Sequence, residues 1–465
     1  MIRFALSALF LLVFSGCSQE ETWAVQVGGA NVDSVFGIAG LEDGRACITG
    51  TFIATADFGT RARPLTLDSG GYSDIFVSCY RADGTPEYVT HFGVTQKNDQ
   101  PRAITALPGG DVAVTGFFSK TLGTEPGPVL QAPGRANADI FLARVDANGN
   151  TVWARRFGGT KADSGRALAT DGDGNLLLAG TFQDVIPYTE NGVGHKLASA
   201  GSRDAFLFKL SADGDIIWAR RFGGSASDEA FAVTATDNGT IVMAGIFAGE
   251  ASSGDLPARK SAGYNDIFVQ AFSADGVPLW TRTLGGAGQE YVGGLTATGD
   301  GGVWLAGSFQ QEMVLPGGGQ LVSEGSTDAF IVYFNSDGNL QRASSFGGAE
   351  VELVYGITAA ADGSLWLAGH FQGEADLAPG SATSVYRASG TADTEGFVLA
   401  LDSDGNHRDA LLLAGDDVAI ANGITVSAGG AVIATGIFGK DMQIGSGDKL
   451  TSRGKSDVFV LRTSL

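Results

Sequence analysis

The sequence predicts an all-β fold, a seven-bladed β-propeller of four-stranded antiparallel blades. Three observations lead to this prediction: one pattern recurs seven times, each copy holds four strand signals, and no segment shows a helical period. A glycine two positions before a phenylalanine marks each copy, and successive marks lie 62 to 67 residues apart. The marking glycines are Gly50, Gly116, Gly180, Gly245, Gly307, Gly369 and Gly436. A strict order of four short strands favours a propeller over a sandwich.

The third copy shows the four strand signals of a blade. They cover residues 166–170, 176–182, 205–210 and 216–222. Asp-Gly pairs separate the first strand from the second and the third from the fourth, at Asp173-Gly174 and Asp213-Gly214. Such pairs suit tight hairpin turns because both central residues need positive φ. About twenty residues join the second strand to the third, so we expect variable loops on one side of the ring.

The ends of the chain carry complementary parts of one blade. Residues 23–29 match the outer strand at 218–224, and the chain ends just after a third strand at 458–461. We therefore expect the first strand to complete the last blade and close the ring without a covalent bond. A closed ring leaves no open sheet edge there, and we expect a monomer.

The repeat resembles a known family, the bacterial β-propeller repeat often called the SBBP repeat. The resemblance rests on residues 204–210, the turn at Asp213-Gly214, the segment 218–224 and the Gly-Thr-Phe that ends at Phe182. It covers essentially all of the chain after the leader. The resemblance implies a propeller in an exported setting, and it implies no reaction.

Residues 1–17 predict a lipoprotein signal peptide. Arg3 precedes an apolar run at 4–14, and small residues precede Cys17. The segment resembles a bacterial lipoprotein signal, which implies acylation of Cys17; an ordinary secretory signal that contains a cysteine is the alternative. Residues 18–22 would then be a short tether and 23–465 the propeller domain. We expect a lipid-anchored protein of the bacterial cell envelope, on the outer membrane because Ser18 follows Cys17, facing the periplasm or the cell surface.

Charge and composition limit the classes of partner that the chain can bind. The chain has 30 basic and 51 acidic residues and a formal charge of −21, which argues against nucleic-acid binding. Its hydrophobic fraction of 44% supplies a large packed core. The expected partner is an envelope protein or polysaccharide that contacts the loops, and acyl chains on Cys17 would hold the protein at the membrane.

An acidic residue follows each outer-strand signal and would ring the mouth of the central channel. These candidate rim residues are Asp33, Asp99, Asp163, Asp228, Glu290, Glu352 and Asp417. Each carboxylate would either cap backbone N–H groups of its own loop or help to bind a cation or cationic ligand. No cofactor is expected beyond calcium at such a ring, and no dedicated metal site. A second acidic set begins each third strand and is more typical of a turn: Asp74, Asp139, Asp204, Asp266, Asp328, Glu395 and Asp457.

Catalytic patterns are sparse in this sequence. The four histidines occupy unrelated positions in their repeats, so no zinc site or nucleophilic triad follows from shared spacing. The sequence therefore favours a non-enzymatic scaffold. The alternatives are an envelope glycan hydrolase or lyase that uses rim carboxylates, and a purely structural envelope component.

Cys47 and Cys79 lie in one blade, near the start of its second strand and the end of its third. Antiparallel neighbours bring those ends together, and an exported compartment is oxidising. We expect a cross-strand disulfide, with two buried thiols as the alternative.

Overall fold

A computed structural model describes residues 22–60, 63–93, 99–123, 127–132, 137–379, 384–388, 394–427 and 429–463. Every named element within these ranges is a β-strand, so the fold is all-β, and the strands are arranged as a β-propeller. The leader at 1–17, including Cys17, and most of the tether lie outside the described residues. No helix long and apolar enough to cross a membrane occurs in the described ranges.

The strands form seven antiparallel units of four, numbered 1 to 7 around the fold. The innermost strands are β2 (Ser34–Gly40), β6 (Gln100–Ala106), β12 (Ser164–Thr170), β18 (Glu229–Ala235), β24 (Glu290–Ala297), β30 (Glu352–Ala359) and β36 (Ala419–Val426). The second strands are β3 (Ala46–Asp57), β7 (Val112–Ser119), β13 (Leu176–Phe182), β19 (Ile241–Phe247), β25 (Val303–Phe309), β31 (Leu365–Gln372) and β37 (Val432–Phe438).

The third and outer strands complete each unit. The third strands are β4 (Thr66–Tyr80), β10 (Ala138–Val145), β16 (Asp204–Leu210), β22 (Asp266–Phe272), β28 (Asp328–Phe334), β34 (Thr394–Leu401) and β40 (Asp457–Thr463). The outer strands are β5 (Pro86–Phe92), β11 (Thr151–Phe157), β17 (Ile216–Gly224), β23 (Pro278–Leu284), β29 (Leu340–Gly348), β35 (His407–Gly415) and, in unit 7, β1 (Trp23–Gly29).

The core lies between neighbouring units. All residues of β13 and β16 are buried, as expected for apolar strands covered on both faces. In one cluster Leu142 of unit 2 packs with Leu178 and Phe208 of unit 3. Each unit therefore buries its two faces against its neighbours, which is why the repeat needs a ring of copies.

The first described strand belongs to the last unit. β1 pairs with β40 in antiparallel register, with Val25 opposite Val460 and Val27 opposite Val458. The innermost strands also contact one another in sequence from β2 to β36, and β36 contacts β2. At that last contact the Asn422 side chain donates to the Val35 carbonyl over 3.4 Å.

The long connections between second and third strands contain hairpins that the sequence did not predict. Their strands are β8 (Thr121–Gly123) with β9 (Val129–Gln131), β14 (Val185–Glu190) with β15 (Val193–Ala198), β20 (Glu250–Ser252) with β21 (Arg259–Lys260), β26 (Glu312–Val314) with β27 (Gln320–Val322), β32 (Glu374–Asp376) with β33 (Val385–Arg387), and β38 (Asp441–Ile444) with β39 (Lys449–Thr451). Several pair with the outer strand of the preceding unit: β20 with β17, β32 with β29 and β38 with β35.

The count of separate sheets differs from the predicted seven blades. Five units form separate sheets of four or six strands, whereas units 7 and 1 share one eight-stranded sheet. The physical reason is that β1 pairs with β40 along its length and with β3 at its end, where Gly28 lies opposite Asp57 and Gly29 opposite Ala56. The predicted all-β propeller of repeated four-stranded units is observed.

Candidate functional site

Six of the seven candidate rim acids are buried just before or at the start of an innermost strand. The most exposed of the six, Asp99, is 5% exposed. The buried acids are Asp33, Asp99, Asp163, Asp228, Glu290 and Glu352. The six side chains are therefore largely withdrawn from solvent.

Asp417 does not belong to this set. Glu352 lies opposite Phe371 in its unit, and the residue in that register in unit 7 is Ala419, opposite Phe438. Asp417 is exposed and precedes this position by two residues. The sequence already places Asp417 slightly earlier in its loop than the other six acids, and the strand register shows that this offset takes it out of the buried position.

The buried acids accept backbone hydrogen bonds across unit boundaries. Asp228 Oδ2 accepts from the Gly224 amide over 2.8 Å and its Oδ1 accepts from the Ala248 amide over 3.2 Å. Asp163 binds the Gly159 and Gln183 amides in the same way. Each such carboxylate joins the end of one outer strand to the end of the next unit's second strand. The arrangement corresponds to the backbone-capping interpretation of the ring.

The second acidic set lies beside the first. Asp204 accepts from the Ala200 amide over 3.0 Å and from Arg221 Nη1 over 2.5 Å. A Cβ added at Gly28 would lie 2.8 Å from Asp457 Oδ1 and 2.9 Å from Asp33 Oδ2, so the two carboxylates sit side by side. Each unit boundary of this kind thus buries a pair of acids around a Gly-Gly segment.

Burial raises the pKa of these acids. The pKa of Asp33 rises to about 6 through burial, with a smaller contribution from the charge of Asp457. The pKa of Glu290 and that of Glu352 rise to about 8, mainly through burial, so both carboxyls hold a proton at neutral pH. Their neighbours Asp266 and Asp328 are also shifted upward by burial. In each pair the pKa values of both carboxyls are raised, so these boundaries do not combine a general acid of raised pKa with a base of lowered pKa.

Metal ligation has little geometric support in the described part of the chain. No three His, Cys, Asp or Glu side chains converge there as a metal site would need. His195 stacks on Tyr188 in a hairpin, while His370 is buried against Tyr355. Burial lowers the pKa of His370 to about 4.

A disulfide joins Cys47 and Cys79. The two residues are direct register partners on β3 and β4, and their Cα atoms lie 4.1 Å apart. Both are fully buried within unit 1.

Each innermost strand contains a β-bulge, a feature the sequence analysis missed. The bulged residues are Phe36, Arg102, Arg166, Phe231, Gly293, Tyr355 and Asn422. A bulge re-aims one side chain of a strand, and bulges are common beside functional sites. One sequence pattern could have located the bulges: in units 1 to 6 the bulged residue follows the buried acid by three places.

Four of the bulged residues meet in pairs across unit boundaries. The Arg102 guanidinium lies 5.5 Å from the centroid of the Phe36 ring and 5.4 Å from that of Phe117. In the next unit Arg166 lies 4.7 Å from the Phe231 centroid and pairs with Glu229 at 2.6 Å. Two arginines thus lie side by side along one arc of innermost strands, with an aromatic ring at either end.

Cavities open at the side that carries the Asp-Gly turns, here called the turn side. One of about 450 Å³ lies among the ends of β2, β6 and β12, lined in part by Gly40, Leu107 and Asp171. Another of about 720 Å³ lies between units 6 and 7, beside Trp366 and Arg408. Both are shallow grooves between turns.

The opposite side, here called the loop side, carries the hairpins and exposed apolar side chains. Tyr264 is 77% exposed and Tyr72 is 53% exposed, and both precede the acid of a third strand by two places. Exposed apolar residues in these loops and hairpins are Val32, Tyr72, Val129, Val193, Tyr264, Val314, Val322 and Val385.

Comparisons with known proteins give partial sequence matches and structural similarity at low identity. No protein-family description matches the chain. It is 26% identical over 175 residues to "Regulatory protein FlaEY" of Caulobacter vibrioides, and 23% identical over 171 residues to "Uncharacterized WD repeat-containing protein L264" of Acanthamoeba polyphaga mimivirus. These segments cover 36% and 31% of this chain, and only 18% and 12% of the two relatives.

Two solved structures are similar over most of this chain at low sequence identity. Sqt1 from Chaetomium thermophilum is 10% identical, with 96% of this chain and 99% of that chain covered and a TM-score of 0.42. A puromycin hydrolase is 12% identical, with 89% and 59% covered and a TM-score of 0.35.

Proposed function

We propose that this chain is a lipid-anchored, non-enzymatic propeller of the bacterial cell envelope, which binds a protein partner through its loop side. In this proposal each unit is one blade of a seven-bladed ring, and the eight-stranded sheet is two blades bridged by β1. The cyclic contacts of the innermost strands support that count. The lipoprotein-like leader at 1–17 supports the anchor and the envelope location.

The observation that carries the proposal is the set of apolar side chains exposed on the loop side. Tyr264 and Tyr72 are exposed just before their third-strand acids, and valines of the hairpins in other units, such as Val193 and Val322, are exposed as well. Burial of such side chains against a partner removes apolar area from water, and tyrosine is enriched where proteins bind one another. A polysaccharide partner is the other outcome of the test below.

Catalysis by rim carboxylates has less support. Asp163 and Asp228 each accept two backbone hydrogen bonds that tie neighbouring units together. A general acid or base must be free to reach a substrate, whereas these groups are committed to the scaffold.

Site-specific photo-crosslinking in the intact envelope tests the binding side. Benzoyl-phenylalanine would replace Tyr264 on the loop side or Val277, 57% exposed beside the Asp275-Gly276 turn of the same unit, as the matched control. We expect a discrete protein adduct from position 264 and none from 277. Adducts from 277 alone, or specific retention on envelope polysaccharide in place of a protein adduct, would overturn the proposal.

The anchor is tested separately on the full chain. We expect a labelled fatty acid to be incorporated into the wild-type protein and not into Cys17→Ser, with the variant released from the membrane fraction. Equal incorporation into both proteins would exclude acylation at Cys17, and would leave the loop-side experiment interpretable.

A further inference from the structure

We propose that Arg102 is the centre of an anion site on the innermost strands, and that the site takes a ligand carrying a carboxylate. The inference is independent of the proposed function of the loop side. It rests on an arc of four bulged residues, Phe36, Arg102, Arg166 and Phe231, contributed by units 1 to 4 in order.

Arg102 lacks the partner that a half-buried guanidinium needs. Its Nε is buried without a hydrogen bond, and the described residues give its guanidinium no ion pair. The faces of the group are covered by Phe36 and Phe117, at 5.5 and 5.4 Å from the ring centroids. Stacked rings satisfy the faces of a guanidinium but not its N–H donors, which lie in its plane. Withdrawing N–H donors from water without an acceptor costs free energy, so a ligand oxygen that accepts from the edge of Arg102 would be bound favourably.

Arg166 provides the internal comparison. It occupies the same bulge position in the next unit, lies 4.7 Å from the Phe231 centroid, and already has a carboxylate partner in Glu229 at 2.6 Å. Arg166 takes its carboxylate from the next unit, where Glu229 lies opposite Ile246. In the unit after Arg102 the same register position holds Ser164, opposite Thr181, so the corresponding carboxylate is missing there. A ligand carboxylate would supply at Arg102 what Glu229 supplies at Arg166.

The local charge favours a singly charged planar anion. Burial, and then the neighbouring charge of Arg166, lower the pKa of Arg102. Arg166 and Arg203 both pair with Glu229, so together with Arg102 three guanidinium groups face one carboxylate, which leaves a net positive charge in a chain of formal charge −21. Glu229 would repel a doubly charged phosphate more strongly than a carboxylate, and a carboxylate matches the fork of an arginine.

The test follows the side-chain Nε–Hε signals of the full-length protein labelled with ¹⁵N-arginine. Sodium acetate and sodium phosphate are titrated separately at constant ionic strength. We expect acetate to shift the Arg102 signal and that of the neighbouring Arg166 saturably, and we expect Arg102→Met to abolish the saturable shift of the Arg166 signal. The matched control is Arg155→Met, which removes an arginine 5.3 Å from the Trp153 ring in an outer strand and leaves the response in place.

Arg102→Lys covers the case in which the methionine variant does not fold. It keeps the charge but loses the fork, so we expect acetate to bind at least tenfold more weakly, as followed by the Arg166 signal. Three results would overturn the proposal: an Arg102 signal unmoved by acetate, an unchanged response in either Arg102 variant, or phosphate bound tenfold more tightly than acetate.

Discussion

Ser456 and Asp33 lie 423 positions apart in the chain and share two hydrogen bonds. The Asp33 amide donates to the Ser456 carbonyl over 3.1 Å, and the Ser456 hydroxyl donates to the Asp33 carbonyl over 3.3 Å. The same backbone bond recurs at internal boundaries, where the Asp228 amide donates to Arg203 over 2.9 Å. The boundary between units 7 and 1 is therefore built like the boundaries inside the chain.

Tryptophans of the outer strands give a first prediction about this equivalence. Trp23 Nε1 donates to the Ala82 carbonyl over 2.8 Å, and Trp218 Nε1 donates to the Ala274 carbonyl over 3.0 Å, each in the turn of the next unit. We expect Trp23→Ala and Trp218→Ala each to lower the free energy of unfolding by roughly 3 kcal/mol. Urea denaturation measures both. If Trp23→Ala left the free energy of unfolding unchanged while Trp218→Ala lowered it, the two boundaries would differ.

The Gly-Gly segments give a second prediction. A Cβ at Gly224 would lie 1.8 Å from the Glu250 carbonyl oxygen of the paired hairpin, so the backbone would have to move. We expect Gly224→Ala to cost at least about 2 kcal/mol of unfolding free energy. Gly172→Ala is the control, since nothing lies within 4 Å of a Cβ at that turn position. Equal thermal stability of the two variants would argue against the observed pairing of β17 with β20.

The buried acids make stability depend on pH. The pKa of Glu290 is raised to about 8 in the folded protein, from an ordinary value of 4.5, by burial and by Asp266. Its protonated form therefore stabilises the fold fully below pH 4.5, and that contribution is lost as the pH rises from 4.5 to about 8. The loss is at most about 1.4 kcal/mol per pH unit for this one group.

Glu290→Gln removes that dependence while keeping an oxygen for the Gly286 amide, which donates to Glu290 over 3.1 Å. We expect the wild type to lose more unfolding free energy than the variant between pH 5 and pH 8, in urea titrations at each pH. Glu312→Gln is the control, because Glu312 is exposed on the hairpin strand β26. Its unfolding free energy should change with pH as that of the wild type does. Parallel curves for wild type and Glu290→Gln would contradict the assignment.

Strained residues after the second strands give a further prediction. Lys440 has a φ of 49°, a conformation that favours glycine, and unit 6 has Gly373 at the same position with a φ of 63°. We expect Lys440→Gly to be more stable than Lys440→Ala by about 1 kcal/mol, because only glycine relieves the strain while both changes remove the side chain. Chemical denaturation compares the two variants, and a more stable alanine variant would contradict this account.

The strands and tight turns of each unit could be predicted from the sequence because local patterns encode them. Apolar runs bounded by Asp-Gly turns predicted the four strands of a unit, and the strand predicted at 176–182 is observed as Leu176–Phe182. Both signals are local: strand periodicity spans a few residues, and a turn at Asp213-Gly214 needs only its own positive φ, observed as 80° at Gly214.

Relationships across unit boundaries were missed because no local pattern encodes them. The short strand β20 has three residues and pairs with the glycines that end β17, so neither partner shows a strand period. The bulge at Arg102 depends on one extra residue against β7, which hydrophobic spacing does not reveal. Asp417 was misplaced for the same reason, since register is a property of the paired strands.

Engineered cross-linking of β1 to β40 tests the ring most directly. Val25 and Val460 are register partners in unit 7, whereas Val269 lies in unit 4. In oxidised full-length protein carrying Val25→Cys and Val460→Cys, we expect peptide mass mapping to find an intramolecular disulfide between positions 25 and 460. The pair Val25→Cys and Val269→Cys should give none. Free thiols at 25 and 460, or links only between separate molecules, would contradict closure by the first strand.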